Sequence, residues 1–257
     1  MGYWQDRMAQ TLTRLTNKTI RQTAKQLRKY YADTMERTIA DFEATYNKIL
    51  ATTAEGKAPT PADLYKLDKY WQTQAQMRKE LRKLGDKQIV LLSKEFELNF
   101  FDVYYAIGLP GDLAFNTLDT AMVQQMVNTI WCADGKSWSQ RIWQNNEMLA
   151  ATLNEELIHC VATGKKTTEL KKILQDRFSV SYNNADMLVR TELAHIQTQA
   201  AQKRYEDAGV QEVEIWASKD ERQCEVCGEL HQKKYPVGAA VPVPAHPRCR
   251  CCIVPVI

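Results

Sequence analysis

Apolar side chains fall at Ile20, Ala24, Leu27, Tyr31, Met35, Ile39, Phe42, Tyr46 and Ile49, always three or four residues apart. That period puts them in one stripe along a helix running from Leu12 to about Leu50. The positions between them are Lys, Arg, Gln, Thr and Glu, which predicts a wet opposite face. A helix this long cannot bury its stripe alone, so it calls for partner helices from the same chain or from another protein. The expected fold class is therefore α+β, with a mostly helical N-terminal part of long amphipathic helices and a small C-terminal α+β unit described below.

The stripe ends at "AEGKAPTPADL", where Gly56, Pro59 and Pro61 break it. Thr60-Pro61-Ala62-Asp63 then reads as an N-cap, a proline at the first helical position and an acid at the third. A second helix is expected to reach about Leu84 and stop at Gly85. A third, from Asp86 to about Ile107, carries Phe96, Phe100, Phe101, Tyr104 and Tyr105, which read as helix–helix core. "GLPG" at Gly108 to Gly111 marks a break, dividing the chain into a helical arm (1–108) and a second domain (109–257). Further helices are expected from Asp112 to Gly164, around a turn at Ala133 to Ser139. "TTELKKILQDRF" at Thr167 to Phe178 reads as a short amphipathic helix. Asn183 or Asn184 then caps another helix, which runs to Ala208 and is stopped by Gly209.

After Gly209 the pattern changes. "VQEVEIWA" alternates Val213, Ile215 and Ala217 with polar residues, as a strand with one wet face does. From Ser218 onward no helical period is visible, and glycines and prolines punctuate a loop-rich unit (209–257) that ends in the strand-like "CCIVPVI".

The chain's 257 residues carry a net charge of +3. Residues 1–100 hold 18 Lys/Arg against 12 Asp/Glu, or +6, and residues 101–257 hold 16 against 19, or −3. The basic excess reads first as a solvated helical face and second as proximity to nucleic acid. No apolar run approaches the ~20 residues that span a bilayer, so no membrane partner is expected. "MGYWQDRMAQ" lacks the apolar core of a secretory signal, which points to a cytoplasm.

Five of the seven cysteines lie in the last 34 residues: Cys224, Cys227, Cys249, Cys251 and Cys252. Without a secretion signal, a disulfide framework is the weaker account. Cys132 and Cys160 stand apart in helical surroundings and read as small buried apolar residues. Cys224 and Cys227 have the C-x2-C spacing that places two thiolates on one side of a tight turn, and His246 and Cys249 in "HPRC" also have two residues between them. Together they form a Cys3His set, a complete complement for structural zinc with no position open for catalysis. Cys251 is the alternate for Cys249, since only one of the two would point inward if "CRCC" is extended. Two other readings stay open: buried reduced thiols, or a redox or nucleophilic cysteine with His231 or His246 as its base. A zinc-stapled DNA-binding module is disfavoured, because "KDERQCEVCGEL" is acidic and carries no basic patch interleaved with aromatics.

The stretch from Val189 to Cys251 resembles the C-terminal domain of the Mu F-like head-morphogenesis, or minor capsid, proteins of tailed phages and prophages. Their pattern is an R-T-E triplet on a helix, a strand leading to D-x-R-x-C-x-x-C, a G-K-x-[YF]-P-like turn and a final H-P-x-C-R-C. Here the triplet is Arg190-Thr191-Glu192, the second element is Asp220, Arg222, Cys224 and Cys227, and the last is His246, Pro247, Cys249, Arg250 and Cys251. "LHQKKYP" departs from the usual L-D-G-K, with His231 and Gln232 in place of an acid and a glycine. "GKSWSQRIWQNNEMLAATLNEEL" at Gly135 to Leu157 and the opening "YWQDRMAQ" are similar to minor capsid proteins of Gram-positive phages.

The resemblance implies a minor protein of the phage head. It would be incorporated into the procapsid by association with the portal protein, with scaffold or major capsid protein as further partners and packaged DNA near the basic N-terminal part. Its places would be the host cytoplasm during assembly and then the virion head. It also brings an enzyme alternative, because relatives of this domain have been compared with ADP-ribosyltransferases; no glycine-rich phosphate loop is visible here. The charged motif residues read as packing groups: Arg190 and Glu192, two apart on a helix, face different ways, so either is expected to pair with Asp220 or Arg222.

Overall fold

A computed structural model describes residues 3–52, 59–109, 117–218 and 223–256. The apolar stripe folds as α1 (Tyr3–Thr52), which starts before Leu12 because Ala9 and Leu12 already continue the buried face. That face is wider than one apolar stripe. Thr16, Thr19, Thr23, Thr34, Thr38 and Thr45 are buried too, so the threonines do not belong to the wet side. Two of them bond as they are buried: the Thr45 hydroxyl donates to the Asp41 carbonyl one turn back at 3.0 Å and meets the hydroxyl of Thr73 at 2.6 Å, and the Thr19 hydroxyl accepts from Asn99 at 3.2 Å.

The N-cap signals at Thr60 act as expected. α2 (Pro61–Tyr65) opens with Thr60 extended, its hydroxyl accepting from the Asp63 N–H while the Asp63 carboxylate accepts from the Thr60 N–H, a reciprocal capping box. After Leu67 a new helix, α3 (Asp68–Ala106), runs unbroken through Gly85. Gly85 is therefore not a stop. A side chain there would overlap the indole of Trp143, so the glycine serves close approach between helices.

Asp119 caps α4 (Thr120–Val127), and α5 (Trp138–Thr163) follows the turn around Gly135. The two helices expected between Thr167 and Ala208 are one, α6 (Thr167–Asp207), with Asn183 and Asn184 inside it. Phe178 and Ala185, on either side of the asparagines, are buried in the same core. Prolonging a helix adds one bond per residue fixed, whereas a second helix would need its own costly nucleus. At the far end Gly209 takes φ 72, and the Val210 N–H bonds back to Tyr205, closing the helix as the sequence signalled.

The remainder is a three-stranded antiparallel sheet of order β2-β1-β3, made of β1 (Glu212–Trp216), β2 (Lys234–Pro236) and β3 (Cys252–Pro255). Val213 and Ile215 face inward. Between β1 and β2 lies a short helix absent from the sequence reading, α7 (Glu225–Leu230).

Contacts group the chain into two units interleaved in sequence. One comprises Lys25–Val90 and Ser139–Ala185. Its core gathers Phe42, Tyr46, Ile49, Leu64, Leu81, Leu153, Leu157, Leu174 and Phe178. Cys160 is buried within it as a small apolar residue, and the Tyr46 hydroxyl donates to the Cys160 carbonyl at 3.0 Å. The Tyr31 hydroxyl, Gln88, Asn145 and Ser181 form a hydrogen-bonded group inside it. The other comprises Met1–Ala24, Leu91–Trp138 and Asp186–Ile257. Here Phe96, Phe100 and Tyr104 are buried as expected, with Trp138 edge-on to Phe96 at 5.3 Å, while Tyr105 stays exposed. Arg204, fully buried, donates from Nε to the Ile107 carbonyl and lies over the Tyr104 ring. Cys132, by contrast with Cys160, is only half-buried. Pro110 and Gly111 of the expected boundary lie outside the described residues.

Candidate metal centre

Cys224 is the N-cap of α7, in extended conformation, and its sulfur accepts from the Cys227 N–H at 3.4 Å. The C-x2-C spacing is thus one helical turn with both sulfurs on its inner side. The second pair arrives on a turn, closed by the Cys249 N–H on the His246 carbonyl, in which Arg248 takes φ 63. Pairing of β3 with β1, in a register that sets Cys252 opposite Trp216, brings this turn back beside α7.

The result is a compact donor set. His246 Nε2 lies 3.2 Å from Cys224 Sγ and 3.1 Å from Cys227 Sγ, and Cys227 Sγ lies 3.8 Å from Cys249 Sγ. A tetrahedral ion with metal–sulfur bonds of ~2.3 Å requires sulfur–sulfur edges of about 3.8 Å and sulfur–nitrogen edges of about 3.5 Å. Two overlapping triads share Cys227: Cys224–Cys227–His246 and Cys227–Cys249–Cys251, each with its ligand atoms within 4.8 Å of one another. Cys251 is therefore no mere substitute for Cys249; both sulfurs turn inward, because the chain turns at Arg248 and becomes a strand only from Cys252. All seven cysteines are free thiols.

The groups that contact the ligand atoms favour ligation. His246 Nδ1 sits 2.8 Å from the Pro247 carbonyl, which holds the proton on Nδ1 and leaves the Nε2 lone pair facing the sulfurs. The hydrogen bond from Cys251, ahead of other contacts, pulls the Cys249 thiol down to about 5, so this sulfur is readily a thiolate. The same contact pushes the Cys251 thiol up. Burial raises Cys227 to about 12, as expected for a thiol that ionises only with a cation beside it. Such a cluster can hold a metal ion, and with four donors from the protein it would be closed rather than catalytic.

The other motif residues take separate places. Arg190 pairs with Asp186, one turn back, at 2.7 Å; this is its partner among the described residues, while Asp220 and Arg222 lie outside them. The Thr191 hydroxyl donates to the Met187 carbonyl and accepts from the Arg248 N–H at 3.0 Å, tying the triplet to the cysteine turn. Glu192 is buried and accepts from the Trp131 indole at 2.9 Å. That indole stacks on His195, whose burial pulls its pKa down to about 4 and keeps it neutral. The i,i+4 spacing of Asp186 and Arg190 on one helix was the signal for this pair; no spacing rule points from Glu192 to Trp131.

His231 lies apart from the cluster, edge-on to Trp216 at 5.1 Å. Gln232 next to it takes φ 65 at the position where the family usually has glycine, so the turn geometry survives the departure. A non-glycine residue there bears steric strain of about 1 kcal/mol, partly offset by glycine's greater entropy loss on folding. Gln232→Gly is accordingly expected to stabilise this unit by about 0.5 kcal/mol, read as a rise in the denaturation midpoint; an unchanged or lower midpoint counts against strain at this turn.

These features define a small helix-and-sheet domain built around a Cys/His centre. Residues 151–254 match the family described as Phage Mu protein F like protein. The chain is also 24% identical over 118 residues to NAD(+)-arginine ADP-ribosyltransferase EFV of Enterococcus faecalis. The aligned stretch is 45% of this chain but only 24% of that protein. No solved structure gives a significant match. Among the described residues no helix is long and apolar enough to cross a membrane.

Proposed function

We propose that the chain is a minor capsid, head-morphogenesis protein of a tailed phage or prophage. In this reading it enters the procapsid through the portal protein, its long N-terminal helices (1–108) serve as the assembly arm, and it assists head assembly, DNA packaging or release. Scaffold, major capsid protein and packaged DNA are further proposed partners, in the host cytoplasm and then the virion head. What supports the reading is that the family match covers the stretch holding both the Arg190-Thr191-Glu192 triplet and the Cys/His cluster.

The metal we assign to the cluster is structural zinc, held by Cys224, Cys227, His246 and Cys249, with Cys251 adjoining. Cross-linking α7 to the end of the chain would compensate for the few large side chains in this small unit.

The experiment is recovery of the protein in procapsids assembled from the encoding phage, with wild type compared to a Cys224→Ser, Cys227→Ser double substitution. The wild type is expected in the particles and the double variant to be depleted at least about tenfold, as loss of a folded docking unit implies. Absence of the wild type from portal-containing particles overturns the reading.

An ADP-ribosyltransferase is the second reading, favoured by the Enterococcus faecalis relative. The alignment leaves most of that protein unmatched, and Glu192, the acid of the triplet, is buried on Trp131 rather than open to a substrate. Transfer of label from tagged NAD that Glu192→Gln abolishes would promote this reading over the first.

A further inference from the structure

We propose that the cleft bordered by α1, α6 and the His246–Cys249 turn binds phosphate groups. The cleft encloses about 450 Å³, and among the described residues the charged side chains on its walls are Arg190, Arg248, Arg250 and Asp186, three guanidinium groups and one carboxylate. Asp186 is already engaged, by Arg190 through Nε at 2.7 Å and Nη2 at 3.2 Å, and by Arg248 at 3.8 Å. Its side chain is also the least exposed of the three, at 13% against 38% for Arg190 and 52% for Arg248. Solvent in the cleft therefore meets the arginines before it meets Asp186.

The arginines are placed by the fold rather than left loose. Arg248 and Arg250 flank the buried Cys249, so the turn that directs the sulfur inward directs its neighbours to the cleft. Arg248 holds φ 63, and its N–H is fixed by the Thr191 hydroxyl on α6. A non-glycine residue kept in this backbone region by surrounding bonds is a feature of ligand clamps. Asn17 of α1 and Gln197 of α6 add amide groups to the lining. Planar guanidinium forks beside amide donors match the oxygens of a phosphate. The volume suits one nucleotide or a short phosphodiester segment.

This inference is independent of the procapsid reading, since a chain that failed to enter heads would still bind phosphate. It locates a phosphate contact at the Cys/His end of the chain, apart from the basic residues spread along the N-terminal helices. Two probes distinguish the source of the phosphate: a fluorescent 20-base-pair DNA duplex and inorganic pyrophosphate. The variant is Arg248→Gln with Arg250→Gln, which removes two charges without reversing any. Lys171→Gln with Lys172→Gln, at exposed positions in the other unit, makes the same change in net charge.

The arginine pair is expected to weaken binding of at least one probe about tenfold or more, as loss of two charge-assisted contacts implies. For the duplex the slope of log affinity against log salt should fall by about 1.8. The lysine pair should alter affinity less than about twofold. Arginine-sensitive binding of the duplex alone assigns a nucleic-acid backbone, and of pyrophosphate alone a free phosphate compound; sensitivity of both assigns the phosphate group itself. If neither probe binds, or the arginine pair weakens binding no more than the lysine pair, the cleft is not a phosphate site. Near-ultraviolet circular dichroism of the arginine pair matching wild type separates lost contacts from lost folding.

Discussion

Cys224→Ser with Cys227→Ser is expected to reduce bound zinc from one equivalent per chain to none. Both sulfurs belong to the triad with His246, and Cys227 also belongs to the triad with Cys249 and Cys251, so the pair removes the donor that joins the two groups. Metal–ligand free energy in such sites is on the order of 10 kcal/mol, comparable to the whole stability of a small domain. The sheet and α7 should therefore lose hydrogen-exchange protection, while the core around Phe42, Tyr46 and Leu153, which shares no residue with the centre, keeps its own. Protons compete with the metal for thiolates and for His246 Nε2, so zinc should leave the wild type as pH falls, and chelator at neutral pH should reproduce the variant. Metal analysis with exchange mass spectrometry reads both parts. Undiminished zinc in the double variant would refute the ligand set, and full protection after zinc loss would refute the staple.

Gly85→Ala is expected to destabilise the unit containing α3 and α5 by about 1–2 kcal/mol, although alanine is the better helix former by about 1 kcal/mol. The added methyl would overlap the six-membered ring of Trp143, which must then leave its place against the helix. Relief of that contact gives a second handle: in a Trp143→Leu background the same substitution should be neutral or stabilising. A coupling of ~1 kcal/mol or more between the two positions in a double-mutant cycle is the expected result. Additive effects would mean that Gly85 is retained for some reason other than the approach of Trp143.

Gly85 also shows where sequence reading meets its limit. A glycine within an apolar helical pattern has two physical explanations, a C-terminal stop or a close approach, and only the position of Trp143, 58 residues away in sequence, chooses between them. Asn183 and Asn184 pose the same choice. Their side chains suit an N-cap, but Phe178 and Ala185 enter one core, and burial on both sides makes one continuous helix cheaper than two. Glycine at 209 was legible because nothing distant competes with it: the helix ends and the chain reverses within a few residues.

At the centre, spacing alone specified Cys224 with Cys227 and His246 with Cys249, since both pairs are local and a turn or a helical cap sets their geometry. The inward aim of both Cys249 and Cys251 depends on Arg248 adopting φ 63, which rests on the Thr191 hydroxyl of a distant helix. Arg190 paired with Asp186 through the i,i+4 spacing of its own helix, whereas Glu192, buried, turned to Trp131, a residue that no local pattern names. The sequence by itself thus determined the helical class, the strand after Gly209 and the two local pairs, Cys224 with Cys227 and His246 with Cys249, all governed by interactions within a few residues. Tertiary structure decided which helices stay continuous, how the donor pairs meet, and that three arginines share one cleft. Those outcomes depend on long-range packing, whose free energy no local pattern contains.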